Sequence, residues 1–124
     1  MHHYRLFTLI ALLFVAAGCS SPASTAKGPA VVEIRTFQFT PAVLEVARGT
    51  TVTWTNRDDI LHTATAGTTT KKDDFSAYDR KPTGAFDGRM EAPGASYSFT
   101  FAEAGEFAYF CDRHAHMTGK IVVK

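Results

Sequence analysis

Apolar and polar residues alternate with a period of two along most of the chain from Val31 onward. This period places successive side chains on opposite faces of an extended strand, so each such run predicts a half-buried strand. The predicted strands cover residues 31–39, with a kink near 35–36, and residues 43–46, 50–55, 96–101, 107–110 and 119–124. Turn-forming Gly and Pro residues separate them, and no stretch has the helical period of about 3.6 residues. The pattern therefore predicts an all-β sandwich.

Aromatic residues supply the predicted core of this sandwich. Five of them occupy strand positions that make them core candidates: Phe37, Phe39, Trp54, Phe99 and Phe101. Aromatic side chains bury more apolar area than most other residues, so a small domain can be held together by a few of them. A length of 124 residues predicts a single domain of this kind.

Residues 67–93 interrupt the alternation. The segment begins with a polar, aperiodic run and continues with aromatic residues at irregular spacing, Phe75, Tyr78 and Phe86. We predict a long surface excursion pinned by these aromatics, with a helical turn near residues 74–78. The charged cluster at 71–74 is either a docking surface or, as is more common, a solvated loop.

The first residues have the features of an export signal. Residues 6–17 are apolar except for Thr8 and follow Arg5, a run that is too short to span a bilayer and fits a secretory signal. The small residues before Cys19 resemble a lipobox, the bacterial signal for lipidation of that cysteine. We expect a signal peptide at 1–18 and a lipid anchor on Cys19, which would attach the protein to a membrane. The alternative is an ordinary signal peptide that leaves Cys19 as a free thiol.

Residues 19–30 are rich in Ser, Pro, Ala, Thr and Gly and predict a flexible linker to the domain at 31–124. Beyond residue 18 the chain has twelve basic and twelve acidic side chains. A neutral domain without a clustered basic face argues against nucleic acid as a partner. We expect a monomeric, extracytoplasmic protein, a lipoprotein of the bacterial periplasm or cell surface.

Three donors for a soft metal lie within seven residues of each other: Cys111, His114 and Met117. A thiolate, an imidazole and a thioether together favour copper, because zinc sites use more Cys or His without Met, and calcium or magnesium sites use oxygen ligands. A trigonal copper site needs two imidazoles beside the thiolate. His62, which follows the strand at 50–55, is the candidate for the second. These four residues predict a site for one copper ion, Cu⁺ or Cu²⁺.

Each donor also has a simpler interpretation. A single histidine such as His62 is more often a capping or core residue than a ligand, and Met117 can be a core side chain. His116 lies two residues from His114 and is expected to point to solvent, although it could also compete with Met117 or bind a second copper ion.

Residues 31–124 resemble the small cupredoxins of the plastocyanin and amicyanin type. The resemblance is carried by Phe39-Thr-Pro41, Gly49-x-x-Val52-x-Trp54-x-Asn56, His62 and Cys111-x-x-His114-x-x-Met117-x-Gly119. It implies a Greek-key β-sandwich of about eight strands with the metal at one end. It also implies a type 1 (blue) copper site formed by His62, Cys111, His114 and an axial Met117.

Two positions depart from the family pattern. The Tyr that commonly precedes the ligand Cys by four residues is Phe107 here, and the Asn that follows the first His in plastocyanins is Thr63. The second change is expected to alter the hydrogen bonding that holds the two ligand loops together.

The resemblance implies a protein that shuttles single electrons between redox partner proteins and is not an enzyme. Electrons are expected to pass through a surface formed by His114, Ile60, Leu61 and Ala115, with Asp112, Arg113 and His116 making this surface more polar than is usual in the family. The alternative is copper delivery or storage without fast redox cycling. A multicopper enzyme would need further histidine clusters, and an adhesion sandwich would leave the four donors unexplained.

Overall fold

The computed structural model describes residues 29–73 and 77–124. Nine strands form in these residues, and none of the described segments is helical. They are β1 (Ala30–Arg35), β2 (Gln38–Thr40), β3 (Val43–Val46), β4 (Thr50–Asn56), β5 (His62–Lys71), β6 (Tyr78–Met90), β7 (Ser96–Phe101), β8 (Gly105–Phe110) and β9 (Thr118–Val123).

The strands form two sheets, which confirms the predicted all-β sandwich. One sheet has the order β2-β1-β4-β7 and the other β3-β9-β8-β5-β6. Neighbours are antiparallel except for β1 with β4 and β3 with β9, which run parallel. The parallel pairs join strands that are distant in sequence, so the connections cross between the two sheets.

Trp54 lies at the centre of the core between the sheets. Its ring is fully buried and lies 5.4 Å, centroid to centroid, from both Phe86 and Tyr109, and 6.3 Å from Phe101. Gly119 pairs with Tyr109, and a Cβ there would overlap the Tyr109 ring, so the glycine makes room for the largest side chain of β8. The predicted core positions of Phe39, Trp54 and Phe101 are confirmed.

The prediction for residues 31–39 is wrong in one respect. The chain does not kink within one strand but reverses at Thr36 and Phe37, both of which have positive φ, so that β1 and β2 form a tight antiparallel hairpin. Positive φ at both central residues is the twist that suits a two-residue hairpin turn, and it is uncommon outside Gly, Asn and Asp. As a result Phe37 is 42% exposed instead of buried in the core.

The predicted loop at 67–93 is also wrong, because most of it belongs to β5 and β6. These strands pair from His62–Met90 to Lys71–Tyr78, with a register shift between Thr65 and Gly67. Beyond Gly67 both faces of the hairpin are largely exposed, so no apolar alternation marks it, although threonine favours strands. Tyr78 begins β6, while residues 74–76 of the predicted helical turn lie outside the described residues.

Three connections meet at one end of the sandwich. β1 runs parallel to β4, with Ile34 opposite Asn56, so the 36–37 turn and the 57–61 loop leave the sheet on the same side. β5 runs antiparallel to β8, so the start of β5 lies beside the end of β8 and beside the 111–117 loop. This end therefore brings His62 and Cys111 together although they are far apart in sequence.

The N-terminal predictions fall largely outside the described residues. The signal peptide at 1–18, the anchor at Cys19 and the linker as far as residue 28 are not among them. Between residues 29 and 73 and from 77 onward, no helix has the length and hydropathy needed to cross a bilayer.

The Tyr109 hydroxyl gives the core a measurable pH dependence. It is buried, and burial raises the pKa of Tyr109 to about 12, from an ordinary value of 10.0, although the neighbouring Trp54 side chain acts in the opposite direction. The unfolded chain loses this proton first, so the free energy of unfolding should fall by about 2 kcal/mol as the pH rises from 10 to 12. Tyr109→Phe should remove this part of the fall, measured by urea unfolding at several pH values. Identical pH profiles of the two proteins would contradict the prediction.

Candidate metal centre

His62, Cys111 and His114 each direct one donor atom to a common point at this end of the sandwich. A metal site needs at least three His, Cys, Asp or Glu side chains close together, and in the described part of the chain these three meet that condition. Their donor atoms all lie within 4.8 Å of one another. Cys111 Sγ lies 3.7 Å from His62 Nδ1 and 3.6 Å from His114 Nδ1. His62 and Cys111 are fully buried, and His114 is half-buried.

These separations fit a single metal ion. Metal–sulfur and metal–nitrogen bonds of about 2.3 and 2.0 Å, at angles between tetrahedral and trigonal, require sulfur–nitrogen separations of about 3.5 to 3.8 Å. The two measured distances fall in this range. One thiolate with two imidazoles is the donor set of a blue copper centre, and it leaves one position for a weak axial ligand.

Backbone hydrogen bonds fold the 111–117 loop tightly. The His114 N–H donates to the Cys111 carbonyl at 3.2 Å, the Met117 N–H to the His114 carbonyl at 2.8 Å, and the Cys111 N–H to the Met117 carbonyl at 3.1 Å. These bonds hold the loop residues in a closed turn between β8 and β9. Met117 ends the turn and is 2% exposed, packed in the same buried cluster as Cys111.

Asn56 shapes the loop that leads to His62. Its buried amide donates to the Ile60 carbonyl at 2.7 Å and to the Met90 carbonyl at 3.1 Å, and its Oδ1 accepts the Asp58 N–H at 2.9 Å. Asn56 lies in one of the sequence motifs, but sequence analysis gave it no role. The structure shows that it sets the path of the 57–61 loop and thereby the position of His62.

Thr63 joins the two ligand loops. Its N–H donates to Cys111 Sγ at 3.3 Å, and its hydroxyl accepts the Asp112 N–H at 2.8 Å. The Thr65 hydroxyl donates to Asp87 Oδ1 at 2.8 Å, so the Thr63 hydroxyl, 2.9 Å from Thr65 Oγ1, must donate its own proton to Thr65. At position 63, where the sequence departs from the family pattern, the hydrogen bonds thus run through two buried hydroxyl groups, those of Thr63 and Thr65.

The electrostatics around His114 favour its neutral form. Burial lowers the pKa of His114, the neighbouring His62, His116 and Arg113 side chains act in the same direction, and the Asp58 carboxylate acts in the opposite one. A metal binds the neutral imidazole, so a lowered pKa reduces competition from protons. His116 is exposed, with its ring centroid 6.3 Å from that of His114, and it does not belong to the donor group.

Two residues that contact the ligand imidazoles were not predicted from the sequence. Asp58 Oδ2 lies 3.0 Å from His62 Nε2, and the Phe37 ring meets His62 and His114 edge-on, with centroids 5.6 and 5.0 Å away. Burial alone would raise the pKa of Asp58, but hydrogen bonds from the Phe37 and Thr36 N–H groups and from His62 hold it below the ordinary value. A carboxylate four residues before a candidate ligand is the sequence signal that could have identified Asp58.

The part of the β5–β6 hairpin beyond Gly67 lies against the 111–117 loop. The Thr69 hydroxyl donates to the Ala115 carbonyl at 3.0 Å, and Arg80 pairs with Asp112 at 3.6 Å. Ala115 is only 5% exposed, so it lies beneath the surface for which it was predicted. Ile60 and Leu61, also predicted there, are half-buried.

Comparison with known proteins agrees with this geometry. Residues 26–124 match the family described as copper binding proteins of the plastocyanin/azurin family. The chain is 35% identical to amicyanin of Paracoccus denitrificans over 104 residues, which cover 82% of this chain and 70% of the relative. It is also 35% identical to a chloroplastic plastocyanin of Tetradesmus obliquus, over 69% of this chain and 58% of the relative.

Solved structures show the same likeness. A methionine-to-alanine variant of amicyanin in its Cu(I) form superposes with a TM-score of 0.59 at 32% identity, covering 82% of this chain and 88% of the other. A purple cupredoxin from Nitrosopumilus maritimus superposes with a TM-score of 0.60 at 25% identity, covering 77% and 99%. With the matched family, the relatives and the His-Cys-His donor group in agreement, the chain belongs to the plastocyanin/azurin family of copper-binding proteins, as a cupredoxin of the plastocyanin and amicyanin type.

Proposed function

We propose that this protein is a type 1 copper electron carrier that passes single electrons between extracytoplasmic redox partner proteins. The observation that carries the proposal is the arrangement of Cys111 Sγ with the Nδ1 atoms of His62 and His114, at separations that suit one metal ion. When bound there, copper supplies one-electron chemistry by alternating between Cu(I) and Cu(II). Loops that are already held in place reduce the rearrangement that accompanies each change of oxidation state.

Each ligand has a distinct role in this proposal. His62 and His114 would hold the metal through Nδ1, Cys111 would supply the strongly donating thiolate, and Met117 would supply a weak thioether sulfur. The Thr63 N–H donates to the Cys111 sulfur and stabilises its negative charge. Burial of His62, Cys111 and Met117 would limit the access of water to the metal.

Electrons enter and leave through His114 in this proposal. Of the two imidazoles, His114 has the partly exposed ring. Ile60 and Leu61 are half-buried residues of the 57–61 loop. Phe37 is 42% exposed and packs edge-on against His114. It therefore contributes apolar area to the electron-transfer surface, as was expected of the buried Ala115. Asp112, Arg113 and His116 are exposed and add charge around this apolar surface.

The first prediction from this proposal concerns the copper site itself. The full chain with one equivalent of Cu(II) should develop an intense blue band that bleaches with ascorbate and returns on oxidation. Cys111→Ser should abolish the band because a hydroxyl cannot provide the thiolate donor, while His116→Ala, the matched control outside the donor group, should keep it. Absorption spectroscopy checks both. A colourless wild type, or one that reduces once and holds Cu(I) without reoxidising, would contradict the carrier and favour copper delivery or storage.

The second prediction concerns the link between the ligand loops. Thr63→Val removes the acceptor of the Asp112 N–H and the donor to Thr65 Oγ1, so the metal-free protein should lose about 1 to 3 kcal/mol of unfolding free energy. Copper affinity should fall about 10- to 100-fold, as measured by competition with a chelator, because the loops are held less firmly. Thr63→Ser keeps the hydroxyl and should behave like the wild type. Equal losses in the Val and Ser variants would show that the hydroxyl is not responsible.

The third prediction concerns location. We propose that Cys19 carries lipid and tethers residues 31–124 to a membrane, on the basis of the lipobox-like residues before it. In a bacterial host the wild type should partition with membranes, and Cys19→Ala should release the protein from them, as shown by fractionation and by mass spectrometry of the N-terminus. If the wild type is soluble and lacks acyl groups, the ordinary signal peptide is the correct interpretation.

A further inference from the structure

Asp58 connects a candidate copper ligand to the exposed turn above it. Its Oδ2 lies 3.0 Å from His62 Nε2 and accepts the Phe37 N–H at 3.0 Å, while its Oδ1 accepts the Thr36 N–H at 2.7 Å. We infer that Asp58 is a positioning residue whose carboxylate fixes the orientation of the His62 ring. Its charge also favours the oxidised state of the bound copper, an effect that rests on the proposed function.

The two nitrogens of His62 face different partners. Nδ1 lies 3.7 Å from Cys111 Sγ, on the side of the donor group, and Nε2 points away from it to Asp58. A ring that binds metal through Nδ1 carries its proton on Nε2, and this N–H donates to the carboxylate. The contact therefore fixes both the tautomer and the orientation of the ring.

The carboxylate is itself held in place. It accepts N–H groups from three residues, and its own backbone N–H donates to Asn56 Oδ1 at 2.9 Å. Its side chain is 17% exposed and the His62 side chain is fully buried, so the pair lies largely out of water. In such surroundings a charged hydrogen bond acts more strongly than at an open surface.

An ionised carboxylate on the outer nitrogen makes the imidazole a stronger donor to the metal. It also places a negative charge near the ion, which favours Cu(II) over Cu(I) because the oxidised ion carries one more positive charge. Reduction transfers one electron from a reduced partner protein to the bound Cu(II), which gives Cu(I) and the oxidised partner. No bond or proton at Asp58 changes in this step, so the residue acts only by shifting the midpoint potential of the Cu(II)/Cu(I) couple.

The test compares two neutralising substitutions one residue apart, in the copper-loaded full chain. Asp58→Asn keeps an oxygen acceptor but removes the charge beside His62, and Asp59→Asn removes the same charge from an exposed neighbour. At a fixed applied potential, Asp58→Asn should raise the Cu(I):Cu(II) ratio about tenfold, equivalent to about 59 mV for a one-electron couple. Asp59→Asn should change the ratio far less, because solvent and salt screen its charge.

The inference would be overturned by equal shifts of the midpoint potential in the two variants. It would also be overturned by an unchanged midpoint potential in a folded Asp58→Asn protein. A second measurement does not depend on a folded variant or on copper. In the metal-free wild type, ¹⁵N NMR of His62 should show the proton on Nε2 and slow exchange of that proton with water. A His62 ring protonated on Nδ1 alone would overturn the inference.

The outcomes separate this inference from the proposed function. A wild type that forms a reversible blue site while Asp58→Asn leaves the midpoint unchanged refutes only the role of Asp58. A wild type without a blue band refutes the proposed function and with it the effect on the midpoint. The NMR result then still decides whether Asp58 orients His62.

Discussion

The metal centre depends on the pairing of β5 with β8. This pairing is short, with Thr65 opposite Phe110 and Ala66 opposite Tyr109. Because the strands are antiparallel, it places the first residue of β5, His62, beside Cys111, the first residue after β8. A shift of one residue in this register would turn Thr63 and Cys111 to the wrong faces and separate the donors. Core packing around Trp54 and Tyr109 therefore fixes the geometry of the site as well as the fold.

Buried polar groups at this end of the sandwich are satisfied by one another. Asn56, Thr63 and Thr65 are buried; Asn56 and Thr63 make hydrogen bonds to the loops that carry the donors, and Thr65 joins Thr63 to Asp87. A buried polar group without a partner is costly, so such networks hold one arrangement and disfavour others. We attribute the order of the ligand loops to this network together with the burial of Cys111 and Met117 in the core cluster. Asp58 extends the same network to the ring of His62.

The sequence predicted much of this protein for identifiable reasons. Strands with one buried face, such as residues 50–55 and 96–101, carry a period of two and were found. The β5–β6 hairpin beyond Gly67 was missed because both its faces are largely exposed, and the 36–37 turn was missed because it uses neither Gly nor Asn. The donor residues were proposed from their chemistry and spacing, and the structure brings His62, Cys111 and His114 together.

The supporting residues were harder to predict, because their roles depend on contacts across the fold. Phe37 touches His62 only after β1 and β4 have paired, and nothing in its local sequence indicates this. Asp58 differs, because its place four residues before His62 could have suggested the contact. Thr63 was recognised as a departure from the family pattern, but its hydroxyl chain to Asp87 required the β5–β6 pairing. Ala115 was assigned to the surface although its side chain is buried. Exposure within a tight loop is set by backbone geometry that composition does not reveal.

Anomalous diffraction at the copper edge, from crystals of the copper-loaded protein, tests the central claim most directly. The account predicts one strong peak, within bonding distance of His62 Nδ1, Cys111 Sγ and His114 Nδ1, with the Met117 sulfur as the next nearest donor. A peak at His116, or a peak bound by only one of the three predicted atoms, would contradict it.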